Sequence, residues 1–174
     1  MKKEVLVVVD MQNDFIDGIL GSSEAKAIVP KVVEKIKNWD GMIYNTFDLN
    51  EKSSYNGTQE SERIPIHCEI DTRGVQLNED VRMALSEKTC VGYIKDTFGS
   101  YSLAEDMKDY ADNDVTLIGL CTDICVISNA MLLQSMGKRI TIDAACCAGS
   151  TPENHEAALK VMKACCMDIE NWEG

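Results

Sequence analysis

Short continuous apolar runs alternate along this chain with longer stretches in which apolar residues recur every three or four positions. The first run, EVLVVVD at residues 4–10, has the β-branched composition of a strand that is buried on both faces of a parallel sheet. Residues 24–38 follow with helical spacing; their apolar positions are Ile28, Val29, Val32, Val33 and Ile36. The chain therefore begins with a predicted strand and an amphipathic helix.

The same alternation continues to the end of the chain. The pattern predicts strands over 42–47, 90–95, 114–120, 138–143 and 166–170, and helices over 76–86, 101–111, 124–136 and 152–164. This order predicts an α/β fold: a doubly wound, about six-stranded parallel sheet with helices on both faces, that is, a Rossmann-like three-layer sandwich. We expect residues 1–174 to form a single domain.

Chemically capable side chains follow the predicted strands. In doubly wound sheets, ligands bind beyond the carboxyl ends of the strands, near the point where strand order reverses. The residues at these ends are Asp10, Asp48, Lys95, the turn from Cys121 to Cys125, and Asp143. We therefore expect an acid, a base and a thiol to meet at this edge.

Cys125 is the candidate nucleophile. Strand 114–120 turns abruptly into a helix, and Thr122 or Asp123 can serve as its N-cap, which would leave Cys125 in the first turn. The free amides and helix dipole there favour a thiolate and could hold an oxyanion. The alternative is an inert helix cysteine that faces the sheet. Cys121 competes as nucleophile, but a strand end suits a backbone role better.

Asp10 and Lys95 are the candidate partners of the thiol. Asp10 could take the thiol proton and return it to the leaving group. Lys95 ends an otherwise apolar strand, where a buried ammonium group needs an anionic partner. Read singly, Asp10 could instead cap a turn, and the Lys95 ammonium could reach solvent.

The polar excursion over residues 48–75 is too long for a simple connection and is a candidate binding loop. Its oxygen ligands and one imidazole would suit Zn²⁺, Mn²⁺ or Fe²⁺ if they converge. These side chains are Asp48, Asn50, Glu60, Glu62 and His67. The alternative is a polar surface loop. His155, early in the last helix, is interpreted as structural.

The charge composition excludes some classes of binding partner. With 17 Lys plus Arg against 29 Asp plus Glu, the net charge is −12, which disfavours nucleic acid and anionic membranes as partners. No apolar run approaches the about 20 residues of a spanning helix, and no signal peptide is recognisable, so we expect a cytoplasmic protein. The eight cysteines are then expected to be reduced.

Five segments together resemble the isochorismatase-like cysteine hydrolases over nearly the whole chain. They are VVVDMQNDFIDG (7–18), IPIHCEIDTRG (64–74), YIKDTFGSY (93–101), GLCTDICVISNAM (119–131) and DAACCAGSTPENHEAAL (143–159). The resemblance implies a catalytic trio of Asp10, Lys95 and Cys125. It also implies a cis bond between Leu120 and Cys121, and an oxyanion hole formed by the backbone N–H groups of Cys121 and Cys125.

Within this family, a thiol at position 125 favours amide hydrolysis, because the true isochorismatases lack it. Pro65-Ile66-His67-Cys68 is similar to the nicotinamidase branch. That resemblance implies a homo-oligomer, no organic cofactor, and a divalent metal bound by Asp48, Glu60 and His67. Here the family's Asp-x-His motif is Asp48-Leu49-Asn50, and Asn50 is a weaker ligand than imidazole, so the metal site is either weakened or absent.

Phe15, Phe98 and Tyr101 could wall a pocket for a flat ring, or could be core residues. The leading hypothesis is a cysteine-dependent amidohydrolase that releases ammonia from a small carboxamide such as nicotinamide, through a thioester on Cys125. One alternative is a metal-free amidohydrolase of the same family that acts on a carbamoyl, ureido or other small amide. The other is a non-catalytic binding protein of this fold.

Overall fold

Six parallel strands form the central sheet of the computed structural model, which describes residues 4–109 and 114–174. The strands are β1 (Glu4–Val9), β2 (Ile43–Asp48), β3 (Cys90–Lys95), β4 (Asp114–Leu120), β5 (Arg139–Ala148) and β6 (Asp168–Glu170). Their order across the sheet is β3-β2-β1-β4-β5-β6, and every neighbouring pair is parallel. The predicted doubly wound sheet is confirmed.

Helices cover both faces of the sheet. They are α1 (Asn13–Ile16), α2 (Ser23–Asn38), α3 (Lys52–Tyr55), α4 (Glu79–Ser86), α5 (Tyr101–Lys108), α6 (Ile127–Ser135) and α7 (Pro152–Ala164). A π-helix, Thr122–Val126, precedes α6. Among the residues that the structure describes, no helix is long and apolar enough to cross a membrane.

The side chains of β1 show how the three layers arise. Val5, Val7 and Val9 pack into a cluster with apolar residues of α5, α6 and α7, whereas Leu6 and Val8 pack with α2 and α4 on the other face. Because alternate residues of a strand point to opposite faces, a strand buried on both sides must be apolar throughout. This explains the continuous hydrophobic run at the start of the chain.

Two element bounds differ from prediction in ways that affect the site. The helix predicted over 124–136 begins earlier, as the π-helix, and only then continues as α6. The strand predicted over 138–143 extends to Ala148 as β5, so Asp143 lies within the strand and not at its end. Asp143 instead accepts hydrogen bonds from Lys35 and Asn171. The last two residues of the helix predicted over 101–111 lie outside the described residues.

Gly119 permits a close approach of β4 to β1 next to the strand ends. Its φ is +121°, and a Cβ atom at this position would overlap the Val9 carbonyl oxygen. Any other residue would therefore be strained in its backbone and would also push the two strands apart.

Gly119→Ala is expected to lower the free energy of unfolding by about 3 kcal/mol or more, since it adds a clash to the dihedral strain. Gly137→Ala is the matched control, because Gly137 also has a positive φ, +82°, but nothing lies within 4 Å of the point that an added Cβ atom would occupy. The Gly137→Ala variant should lose only about 1 kcal/mol of unfolding free energy. Urea denaturation measures both, and equal losses would contradict a role for the close approach.

Candidate active site

The site lies at the point where strand order reverses. β1 and β4 are neighbours in the sheet, but the chain proceeds from β1 towards β3 on one side and from β4 towards β6 on the other. Connections therefore diverge here and leave a crevice at the carboxyl ends of the strands. Asp10 follows β1, and Cys121 follows β4.

Asp10, Lys95 and Cys125 meet in this crevice. The Lys95 ammonium nitrogen lies 2.7 Å from Oδ2 of Asp10 and 3.6 Å from Sγ of Cys125. The negative charge of the Asp10 carboxylate also acts on the Cys125 thiol. None of the three residues is more than 5% exposed, so their charges interact with little screening by water. The structure thus brings the predicted trio together around the Lys95 ammonium group.

Two further residues hold these groups, and sequence reasoning missed one of them. Thr46 donates a hydrogen bond of 2.6 Å from Oγ1 to Oδ1 of Asp10, and it lies beside Val9 in the register of β1 and β2. Asp48 lies 3.7 Å from Lys95 through Oδ1. In the sequence, Thr46 is distinguished only by its position near the end of β2. The register of β1 and β2 is needed to show that it lies beside Asp10.

Burial raises the pKa of the two acidic groups of the trio, whereas neighbouring charges set that of Lys95. Burial raises the pKa of Cys125, and the negative charge of Asp10 adds to this effect while Lys95 opposes it. Burial also raises the pKa of Asp10 against the opposing charge of Lys95. Lys95 keeps its proton, because the charges of Asp10 and Asp48 outweigh burial and raise its pKa. The raised pKa of Cys125 favours its thiol form over the thiolate expected from a helix start.

The turn that carries Cys125 is built differently from the predicted helix start. The Leu120–Cys121 peptide bond is cis, as predicted. The π-helix has no side-chain cap, so the expected capping role of Thr122 or Asp123 is wrong. The Cys121 carbonyl instead accepts hydrogen bonds from the N–H groups of Ile124 and Val126, both at 3.0 Å.

A cavity of about 220 Å³ opens onto Cys125. Phe15 and Phe98 line it, as predicted, together with Ile64 and Ile124. Tyr101 does not line it; its side chain is 69% exposed and borders a separate groove between the start of α5 and α6. The assignment of Tyr101 to the pocket is wrong, because the inward face of α5 carries other residues.

The far end of the cavity is polar. His67 lies 3.0 Å from Asp48 and 3.6 Å from Glu60 through Nε2, and Phe15 packs against its ring at 5.3 Å between centroids. Gln12 fixes this end, because it bonds both the N–H and the carbonyl group of Asp48, at 2.8 and 2.7 Å. Asp48, Glu60 and His67 therefore share one wall of the cavity, whereas Asn50 and Glu62 do not line it.

The side chains of this wall do not fit a metal centre. Nδ1 of His67 donates to the Pro65 carbonyl, and Nε2 faces the Asp48 carboxylate. Burial alone would lower the pKa of His67, but these two hydrogen bonds raise it, and both ring nitrogens already face oxygen acceptors. Asn50 is a donor, with its amide nitrogen 3.0 Å from the His67 carbonyl.

Within residues 4–109 and 114–174, no three His, Cys, Asp or Glu side chains form a group that could hold a metal ion. The predicted ligand set of Asp48, Glu60, His67 and Asn50 is thus corrected to a hydrogen-bonded cluster. The physical reason is that its acceptors and donors satisfy one another.

Comparison with known proteins agrees with the fold. The solved nicotinamidase/pyrazinamidase PncA from Bacillus subtilis superposes with a TM-score of 0.86 at 22% identity, over 96% of this chain and 98% of that one. The pyrazinamidase of Pyrococcus horikoshii, solved in complex with zinc, superposes with a TM-score of 0.80 at 26% identity, over 98% and 99% of the two chains.

Sequence relatives also match this protein over nearly its whole length. The nicotinamidase/pyrazinamidase of Mycobacterium tuberculosis is 24% identical in an alignment of 183 positions that covers 94% of this chain and 96% of that protein. The family model of the isochorismatase domain matches residues 4–174. Because that match spans nearly the whole sequence, this chain belongs to the isochorismatase family of hydrolases.

Proposed function

We propose that this protein hydrolyses the carboxamide group of a small molecule through a thioester on Cys125 and releases ammonia. The contact among Asp10, Lys95 and Cys125 at the base of the cavity carries the proposal. A thiol, a carboxylate of raised pKa and a fixed positive charge are the groups that nucleophilic amide cleavage requires.

The first half of the reaction forms the thioester. Asp10 takes the thiol proton as Sγ of Cys125 bonds to the amide carbon, and the carbonyl electron pair moves to oxygen. We assign this oxyanion to the backbone N–H groups of Cys121 and Cys125, which the hydrogen-bonded turn holds in place. The carbonyl then re-forms, the carbon–nitrogen bond breaks, and the nitrogen takes the proton from Asp10 and leaves as ammonia.

The second half regenerates the enzyme. Asp10 takes a proton from water, whose oxygen bonds to the thioester carbon. The carbon–sulfur bond then breaks, and the sulfur recovers its proton from Asp10 as the carboxylic acid leaves. Lys95 stays protonated throughout and stabilises the negative charge that passes between Asp10 and Cys125. No step passes through a metal ion.

The cavity indicates the substrate class. Its volume of about 220 Å³ lies below the about 300–1,000 Å³ that is typical of pockets for drug-sized ligands, so the substrate should be smaller. Phe15 and Phe98 can pack on a flat ring, and the Glu60 carboxyl group, whose pKa burial raises, can donate a hydrogen bond to its far edge when protonated. We therefore propose an aromatic carboxamide, with nicotinamide as the first candidate.

An ammonia-release screen tests this proposal. The panel contains nicotinamide, pyrazinamide, benzamide, acetamide and an N-carbamoyl amino acid. We expect cleavage of the aromatic amides, with nicotinamide and pyrazinamide ahead of benzamide, which has no ring nitrogen for the polar wall. Preference for the carbamoyl compound would overturn the substrate class, and ammonia from none of them would count against the proposed reaction.

Metal removal is a separate prediction of the same mechanism. Incubation with EDTA followed by gel filtration should leave kcat/KM within about twofold of the untreated value, because the proposed steps use only side chains and backbone groups of the protein. Metal content before and after treatment is measured by mass spectrometry. Activity is then measured again after Zn²⁺ or Mn²⁺ is added to the treated protein. Loss of activity on chelation, with recovery when metal is added back, would contradict a metal-free mechanism.

A further inference from the structure

We propose that Thr122 and Asp123 are positioning residues, which hold the turn of Cys125 against the loop between β5 and α7. This inference rests on the proposed function, since the turn matters only if Cys125 attacks a substrate. Neither side chain acts as the predicted helix cap, and each bonds to a different residue beyond β5. We refer to these two contacts as the brace.

The first contact of the brace is buried. Oγ1 of Thr122 lies 2.8 Å from Nδ1 of His155, and the Thr122 side chain has no exposed surface. His155 is on the second turn of α7, and burial lowers its pKa, so that the ring is neutral near pH 7. A neutral ring nitrogen can accept the threonine hydroxyl hydrogen. The nucleophile turn is thus tied to a long helix that packs on the sheet.

The second contact lies on the other side of the same turn. Asp123 accepts hydrogen bonds from both the N–H and the hydroxyl group of Ser150, the former at 2.7 Å. Asn154 donates to the Ser150 hydroxyl at 2.9 Å and so extends the network into α7. A bidentate arrangement of this kind sets both distance and orientation.

The brace joins the nucleophile to the wall of its own cavity. Gly149 and Ser150 line the cavity together with Cys121 and Cys125. Movement of the β5–α7 loop would therefore shift the thiol and the proposed oxyanion donors relative to a bound amide. A displacement of about 1 Å between reacting groups can cost a factor of about 10² in rate. The brace should accordingly affect kcat more than KM.

Thr122→Val and Thr122→Ser form a matched pair, since valine keeps the shape and serine keeps the hydroxyl. Thr122→Val is expected to lower kcat about tenfold with KM within twofold, and Thr122→Ser should restore most of the rate. His155→Ala should resemble Thr122→Val, and the double variant should lose little more, because both changes break one contact. Wild-type kcat in Thr122→Val, or equal losses in both threonine variants, would overturn the proposal.

Hydrogen exchange gives a readout that needs no substrate. Amides of residues 119–131 should exchange at least about fivefold faster in Thr122→Val than in Thr122→Ser, at equal global stability. Equal exchange in the two variants would overturn the brace even in an active enzyme. Faster exchange in a protein that releases no ammonia would preserve the brace and refute the proposed function.

Discussion

Replacement of Cys125 by alanine is expected to lower amide hydrolysis by a factor on the order of 10⁴ to 10⁶ while the fold is retained. The reason is geometric: the Cys125 thiol contacts Lys95, which pairs with Asp10, so its loss removes the covalent step and not merely a binding contact. Ammonia release measures the rate, and circular dichroism with thermal melting checks the fold. Activity within about tenfold of wild type would refute the assignment.

Cys121→Ala is the matched control for this prediction. Cys121 lines the same cavity, but the mechanism uses its backbone alone, so the alanine variant should keep at least about a tenth of the rate. Acid quenching during turnover, followed by peptide mass spectrometry, should find the acyl group of the substrate on Cys125. An inactive Cys121→Ala beside an active Cys125→Ala would move the nucleophile to Cys121.

The strands and most helices could be predicted because their signals are local. Strands 90–95 and 114–120 and helix 152–164 have the predicted bounds, the last because Thr151 caps a helix that starts at Pro152. The end of β5 was missed because residues 144–148 are alanine and cysteine, which lack the β-branched signal of a strand. Packing of this segment against β4 supplies the stability that its composition does not indicate.

The trio could be inferred from strand ends, but its contacts could not. Lys95 ends β3, which is two strands away from β1, so it reaches Asp10 across the end of β2. Strand order and side-chain reach are properties of the assembled sheet. Tyr101 shows an overlooked local signal: the core face of α5 comprises Leu103, Ala104 and Met107, and helical spacing places Tyr101 off that face.

The polar wall of the cavity, formed by Asp48, Glu60 and His67, could not be predicted, because it depends on tertiary contacts of a long loop. Whether His67 faces a metal or a carboxylate is set by how residues 48–75 fold back, and Gln12 fixes that path through Asp48 and Val75. No periodicity within the loop encodes these bonds. The substitution at Asn50 was visible in the sequence, but its function as a donor to the His67 carbonyl was not.

Lys95→Met should lower both stability and activity, because it leaves the buried Asp10 carboxylate without its positive partner. Removal of one member of a buried ion pair costs about 3–5 kcal/mol of unfolding free energy. The rate should fall by about 10² to 10⁴, since the negative charge shared by Asp10 and Cys125 then lacks its stabilising group. Urea denaturation and ammonia release measure the two effects.

The stability loss in Lys95→Met should depend on pH with a definite sign. Burial already raises the pKa of Asp10 in the folded protein, and removal of Lys95 raises it further. The folded state then binds more protons than the unfolded state above about pH 4, so stability falls as pH increases through that window. The difference from wild type should therefore be larger at pH 8 than at pH 5.

The double variant Asp10→Asn/Lys95→Met is the control, because it removes the negative charge of Asp10 together with the positive charge of Lys95 and leaves neither unpaired. It should be more stable than Lys95→Met at pH 8 and should lose the added pH dependence, since two neutral side chains of similar volume replace the ion pair. It should remain inactive, because asparagine cannot accept the Cys125 proton. If the double variant is as unstable as Lys95→Met at pH 8, packing of the Lys95 side chain and not its charge supports this site.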